Sequence, residues 1–424
     1  MNVGTVRRLL ARAGVLALFA GMLTAAGAAP ANAFDTNTCL WHGSYAPDGP
    51  DNDMYFDSGI GYWSAKFTIP TGARVFLDGQ YPHSRALSYN VYATTASSTI
   101  ASSINDVDIH PDADSSVNPF VAGNARNASL RNYTLEVVPG NVPGGGPATN
   151  TIYSGTSNRT VTMLMRITVP DAAGGVTGGV ALPDIIVQNA DNSTTTGSAA
   201  CTAVQASTSA LSITLPNLIT YPVYALASPL TSPTTWQNTL VVAMGATIQL
   251  YGTIGNTYLT ARLHRSLGTV VKLTGKVPTT PPTLGGDTTM GTGQVRYWSL
   301  CMYELGSGAV TPCVHDQIIT TDSSGNYTIA VSRTADKPSN ATAACGKNWL
   351  QWSNNGNGMS GLYADANDGT LVLRNLYPDP SFTQDISDLG LPFVQIPAGG
   401  TTAMGNYLPT GTYTTKSGFE ALGC

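Results

Sequence analysis

The chain has 424 residues, of which 42% are hydrophobic and only 11% charged, with a formal balance of −5 at pH 7. That length supports two ordinary hydrophobic cores. So mild a balance excludes a nucleic-acid partner or an anionic membrane held by basic residues. Glutamate occurs only as Glu136, Glu304 and Glu420, which argues against a paired-glutamate hydrolase.

Arg7, Arg8 and Arg12 open the chain, and the uncharged apolar run from Val15 to Ala26 follows. Ala31-Asn32-Ala33 then offers the small-x-small pattern of a signal-peptidase site. Residues 1–33 are therefore expected to be a signal peptide of a secreted, extracellular or periplasmic protein. No later apolar stretch reaches the ~18 residues of a transmembrane anchor.

The next segment, 34–185, reads as a first β-sandwich unit. Short runs rich in Val, Thr, Tyr and Ile alternate in polarity between Gly, Pro, Asn and Asp turns. Residues 186–245 hold a Ser/Thr/Asn-rich tract that reads as a linker or surface excursion, pinned by Cys201. Residues 246–424 read as a second unit with a C-terminal tail. Helical spacing is scarce: Leu259, Leu263 and Leu267 recur every four residues, and Phe382 to Leu389 has room for a turn or two. The fold class expected is all-β, two tandem diverged sandwich units of jelly-roll type with long loops and few short helices.

The two units match block by block. Asp53-Met54-Tyr55-Phe56 answers Asn256-Thr257-Tyr258-Leu259, and Val75 to Pro82 answers Val271 to Pro278. Arg85 through Tyr92 answers Arg296 through Tyr303, and Asp106, Ile109 and Asp112 answer Asp316, Ile319 and Asp322. Asn132-Tyr133-Thr134-Leu135 answers Asn326-Tyr327-Thr328-Ile329, and Arg166 to Asp171 answers Arg374 to Asp379. Length differences fall between blocks, where loops absorb them at little entropic cost. One insertion, rich in Thr, Pro and Gly, separates Pro278 from Arg296.

Six cysteines in an exported chain predict disulfides. Fifteen pairings are open to them; Cys301 and Cys313 flank a Gly-Ser-Gly turn and are the first choice, after which Cys345 with Cys424 would tie down the C-terminus and leave Cys39 with Cys201.

Arg296-Tyr297-Trp298-Ser299, Asn348-Trp349-Leu350 and Arg374-Asn375-Leu376-Tyr377-Pro378-Asp379 together resemble a pattern of bacterial exported proteins carrying paired domains of unknown function. Asp106 to Asp112 and Asn118-Pro119-Phe120 also resemble a narrower exported group. The resemblance implies β-sandwich domains and assigns no reaction.

Several residues are candidates for chemistry. Arg85 and Arg296 share strand faces with apolar neighbours and so need carboxylate partners if buried, with Asp106 and Asp316 the natural choices. Either could instead clamp an anionic ligand with its planar fork. Arg166 and Arg374 pose the same problem. His83 lies two residues before Arg85, and Asp106, Asp108 and His110 alternate with Val107 and Ile109. One strand face carrying these groups could supply general acid and base or hold a divalent metal. His315, Trp349 and Trp352 are candidate ligand-binding residues, the tryptophans as platforms for sugar rings. Asp48, Asp51, Asp53 and Asp57 form an acidic loop that could bind calcium. The expectation that follows is a secreted protein binding a small polar ligand or glycan at the sandwich rims or between the repeats. An extracellular hydrolase or lyase and a structural envelope protein are the alternatives.

Overall fold

The computed structural model describes residues 39–424 apart from 44, 48, 50, 94–98, 156–158, 208, 210, 212–224, 226–227, 238–240, 243–245, 248–250, 390–394 and 398–402. The expected signal segment and Asp48 lie outside the described residues.

The first unit contains strands β1 (Trp41–Gly43), β2 (Ile60–Thr68), β3 (Arg74–Gln80), β4 (Ser84–Tyr92) and β5 (Ile100–Asn105). It continues with β6 (Asn132–Val138), β7 (Thr151–Tyr153), β8 (Thr160–Pro170), β9 (Asp184–Gln188) and β10 (Thr194–Thr195). One sheet runs β1-β2-β8-β4-β5 and the other β10-β9-β3-β6-β7. Val75 and Leu77 of β3 and Tyr133, Leu135 and Val137 of β6 alternate inward to the core between the sheets, as period-two patterning requires.

The second unit holds β11 (Thr235–Gln237), β12 (Val241–Val242), β13 (Ala246–Thr247), β14 (Asn256–His264), β15 (Val270–Lys276) and β16 (Tyr297–Tyr303). After these come β17 (Val314–His315), β18 (Asn326–Ser332), β19 (Asn348–Gln351), β20 (Asp368–Leu376), β21 (Gln395–Pro397) and β22 (Thr410–Thr414). Its main sheets run β17-β16-β20-β14-β11-β21 and β19-β18-β15-β22. The strand trios β2-β8-β4 and β14-β20-β16 correspond, as do β9-β3-β6-β7 and β22-β15-β18-β19. Even the parallel pairing recurs, β6 with β7 and β18 with β19. The chain is thus all-β, two sandwich-like units of one design.

Strand register aligns the units residue by residue. Ser88 and Ser299 lie opposite Arg166 and Arg374, while Tyr62 and Tyr258 lie on their other side. Gly79 and Gly275 are kept because the phenol of the facing tyrosine crosses above: an added Cβ would lie 2.8 Å from the Tyr133 hydroxyl and 2.6 Å from that of Tyr327. The first expected block is the exception. Tyr258 matches Tyr62, not Tyr55, and Tyr55 matches Tyr251, both at positive φ. A second tyrosine at the same spacing in each unit misled the sequence comparison.

Two further expectations change. The stretch 256–267 is strand over 256–264, with only a 3₁₀ turn at Arg265–Leu267: Leu259, Ala261 and Leu263 are buried along β14, since a spacing of four is also two strand periods. The tract 186–245 is not simply a linker. β9 and the helix Gly197–Ala203 extend the first unit, and β11 joins the second unit's sheet. The disulfides Cys39–Cys201, Cys301–Cys313 and Cys345–Cys424 are all present.

The outer faces of the two large sheets meet each other. Ile60, Tyr62, Ala86, Tyr92 and Leu164 of the first unit share an apolar cluster with Tyr251, Tyr297 and Leu376 of the second. β4, β16 and β20 are consequently buried along their whole length.

Candidate functional site

Side chains alternate along a strand, so Leu164, Arg166 and Thr168 of β8 point away from their own core, as do Val372, Arg374 and Leu376 of β20. Both arginines therefore project into the layer between the units. The contacts there are reciprocal. Arg85 donates to the Arg296 carbonyl (3.3 Å), and Arg296 donates to that of Arg85 (3.0 Å). Tyr303 donates to Phe56 O (2.6 Å) and Tyr92 to the matching Gly252 O (2.7 Å). Arg374 donates to Tyr55 O (2.9 Å) and Arg166 to Tyr251 O. The two units thus face one another as the protomers of an isologous dimer do.

One of the two related arginine sites is filled from within the chain. Arg374 Nη1 donates to Asp57 Oδ2 at 3.1 Å, and that carboxylate also accepts from Tyr297 OH (2.6 Å), Ser299 Oγ (2.5 Å) and Gly59 N (2.9 Å). The guanidinium lies 5.4 Å from the Tyr258 ring and 5.2 Å from that of Tyr303. A buried charge of this kind persists because it is paired and hydrogen-bonded.

The related site differs at the positions that fill the first. Register with the matched strands places Thr253 at the position of Asp57, Ala86 at Tyr297 and Gly252 at Phe56, while Ser88 stands at the position of Ser299. Arg166 is only 6% exposed, with its guanidinium 5.6 Å from the Tyr62 ring. Its Nη2 donates to Tyr92 OH at 3.0 Å. Burial pushes the Tyr92 phenol up to about 12 against the pull of Arg166, so this contact is to a neutral hydroxyl. Among the described residues, no carboxylate replaces Asp57. Among the described residues, buried Arg166 Nη1, Thr253 Oγ1 and Asn256 Oδ1 have no hydrogen-bond partner.

A cavity of about 40 Å³ lies against these groups, and since roughly 10–15 Å³ admits one water, the space takes a small molecule. Arg166, Ser88, Thr253 and Asn256 line it with Tyr62 and Tyr258. Ala86 in place of the Tyr297 ring and Thr253 in place of the Asp57 carboxylate leave room that the sister site lacks.

The other candidates sit elsewhere. Arg85 pairs with Asp316 and Arg296 with Asp106 (3.2 Å), an exchange between units and not the pairing within each unit that the sequence leads one to expect. Each aspartate stays anchored at home, Asp106 by Leu87 N (2.9 Å) and Asp316 by Trp298 N (3.0 Å), and reaches across with its charge. These arginines are therefore tied within the protein. Asp106 to Asp108 form a 3₁₀ turn, not a strand, so the expected face of alternating groups does not form: Asp106 is buried, whereas Asp108 and His110 are exposed. His83 lies instead beside Arg131, Asp171 and Arg126, its pKa lowered by burial and then by Arg131.

His315 is buried, with Nδ1 unpaired, on a separate cavity of about 250 Å³. The tryptophans do not make a sugar platform. Trp352 is 0% exposed and donates to Asp368 O (3.1 Å), while half-buried Trp349 carries Lys337 over its ring at 4.3 Å. Of the described aspartates of the acidic loop, Asp51 faces His42 while Asp57 turns inward to Arg374. Asp57 also lies near Cys301 and Cys313, but their sulfurs form a disulfide and offer no thiolate to a metal.

Sequence reasoning raised Arg166 as a burial problem and missed Ser88, Thr253 and Asn256. Matching Tyr55 and Tyr62 to Tyr251 and Tyr258 would have set Thr253 against Asp57 and exposed the missing carboxylate.

No family model matches the chain, and no curated protein does. A putative uncharacterized protein from Burkholderia cenocepacia is similar in structure, with 12% identity and a TM-score of 0.48, over 90% of this chain and 84% of that one. A protein from Vibrio parahaemolyticus is similar at 10% identity and a TM-score of 0.39, over 81% and 90% respectively.

Proposed function

We propose that the chain is an exported binding protein that holds a small polar ligand in the cavity between its two sandwiches. One observation carries the reading: a buried arginine with an unpaired Nη1, beside two further unpaired polar atoms, at the edge of an internal space. Buried polar groups are nearly always hydrogen-bonded, and each one left unmade costs about 1–3 kcal/mol. A bound polar molecule satisfies several at once. The three disulfides suit an oxidising compartment, in keeping with export. No helix among the described residues is long and apolar enough to cross a membrane. The hydrolase alternative loses its motivation because His83, Asp106, Asp108 and His110 do not share a face.

Ligand-observed NMR of the mature protein against a set of small polar compounds tests the reading. At least one neutral or charged compound is expected to bind in competition-sensitive fashion, and Arg166→Met to abolish it. A complete absence of cavity-directed binding across the set would leave a structural role for the paired units.

A further inference from the structure

We infer that the ligand of the Arg166 cavity is a small monocarboxylate, which takes the place that the Asp57 carboxylate occupies in the sister site. This rests on the reading of the cavity as a ligand site.

The sister site shows what the scaffold builds around an arginine here. Arg374 Nη1 and Ser299 Oγ both donate to the Asp57 carboxylate, and Tyr297 OH donates to its other oxygen. In the Arg166 site the arginine and the serine remain, as Arg166 and Ser88, while the side chain bearing the carboxylate is shortened to Thr253. Arg166 Nη1, the atom matching the one that holds Asp57, is the atom left unpaired. A guanidinium is always charged, and its planar fork matches a carboxylate better than a point charge. Removed from water, it strongly favours an anionic partner over none.

Size limits the ligand further. The space of about 40 Å³ is bounded by Leu164, Tyr62, Tyr258 and Leu376. These walls accept a short alkyl tail where Ala86 stands in place of the Tyr297 ring. A one- to three-carbon acid such as formate or acetate fits this chemistry, while a bulky oxyanion or a sugar does not. Thr253 Oγ1 and Asn256 Oδ1 remain to engage a hydroxyl on the tail, the second as an acceptor.

Isothermal titration of the mature protein with sodium acetate, sodium formate, sodium chloride and acetamide, at matched ionic strength, tests the inference. Acetate and formate are expected to bind saturably at one site, with acetamide at least about tenfold weaker because it lacks the charge. Thr253→Asp supplies the carboxylate internally. It is expected to raise the midpoint of thermal unfolding without ligand and to weaken acetate binding about 100-fold or more, since two carboxylates cannot both ionise against one arginine.

Acetamide binding as tightly as acetate, with the same loss in Thr253→Asp, would overturn the carboxylate while the cavity remained a ligand site. Saturable chloride binding that acetate fails to displace would overturn it in favour of a halide. Acetate binding left intact in Thr253→Asp would place the acid elsewhere and equally overturn it. Silence from all four probes refutes the monocarboxylate; the wider compound set then decides separately whether the cavity takes any ligand.

Discussion

An arginine on an apolar strand face obliges the fold to supply an anion: Arg85, Arg296 and Arg374 each receive an aspartate from the other unit, while Arg166 is left with an open place. Arg85 and Asp316 are both essentially fully buried. Breaking such a pair strands a charge, so Arg85→Met and Asp316→Asn are each expected to cost about 3–5 kcal/mol. Urea unfolding of the two single variants and the double variant measures this, and the double is expected to cost less than the sum.

His315 adds a pH effect. Its pKa is lowered by burial, with Arg85 acting in the same sense and Asp57 and Asp316 opposing. The unfolded chain then takes up a proton near pH 6.5 that the folded chain refuses, so stability is lost as pH falls below about 6.5. His315→Gln is expected to flatten that part of the stability profile, with His83, also lowered by burial, supplying the remainder. An unchanged slope below pH 6.5 in His315→Gln would show that this ring does not contribute.

Among the elements, strands with one covered face were the most legible. β3 and β6 alternate cleanly, and the Val75 to Gln80 and Asn132 to Leu135 blocks found their true counterparts. β14 was not, because leucines four apart fit either period and only the pairing with β20 decides between them. The acidic turn after β5 was read as strand for a similar reason: alternation of Asp106, Val107, Asp108 and Ile109 mimics a pleat that the 3₁₀ turn does not have.

Disulfide pairing was legible only in part: the Gly-Ser-Gly turn points to Cys301–Cys313, but six cysteines allow fifteen pairings and the folded chain selects among them. Cys345–Cys424 ties down the C-terminal helix Lys416–Glu420, where Phe419 is 0% exposed and Asn340 donates to Gly423 O at 2.8 Å. The bridge closes a separation of 79 residues. Cys345→Ser with Cys424→Ser is expected to cost about 4 kcal/mol on chain-entropy grounds. Guanidinium unfolding gives the number, and limited proteolysis should cut first in the released tail.

At the scale of the whole molecule, the exchanged pairs Arg85–Asp316 and Arg296–Asp106 and the shared apolar layer make each unit incomplete alone. The insertion after Pro278 reinforces this, since Arg126 N donates to Thr288 O (2.8 Å) and Met290 lies in the first unit's core. Scanning calorimetry of the mature chain is therefore expected to show one transition. The second unit expressed alone, with Arg374 deprived of Asp57, is expected to unfold at a distinctly lower midpoint. Two separated transitions in the full chain would show that the units are energetically independent.

Residue order by itself determined the all-β class, the doubling and the need of each repeated arginine for an anion. These follow from short-range alternation, turn chemistry and the cost of an unpaired buried charge, all of which act on the sequence directly. Which aspartate meets which arginine, and where an arginine meets none, only the tertiary structure decided. Pairing depends on the stacking of two outer sheet faces, and no local pattern records which side chains that stacking brings within hydrogen-bonding reach.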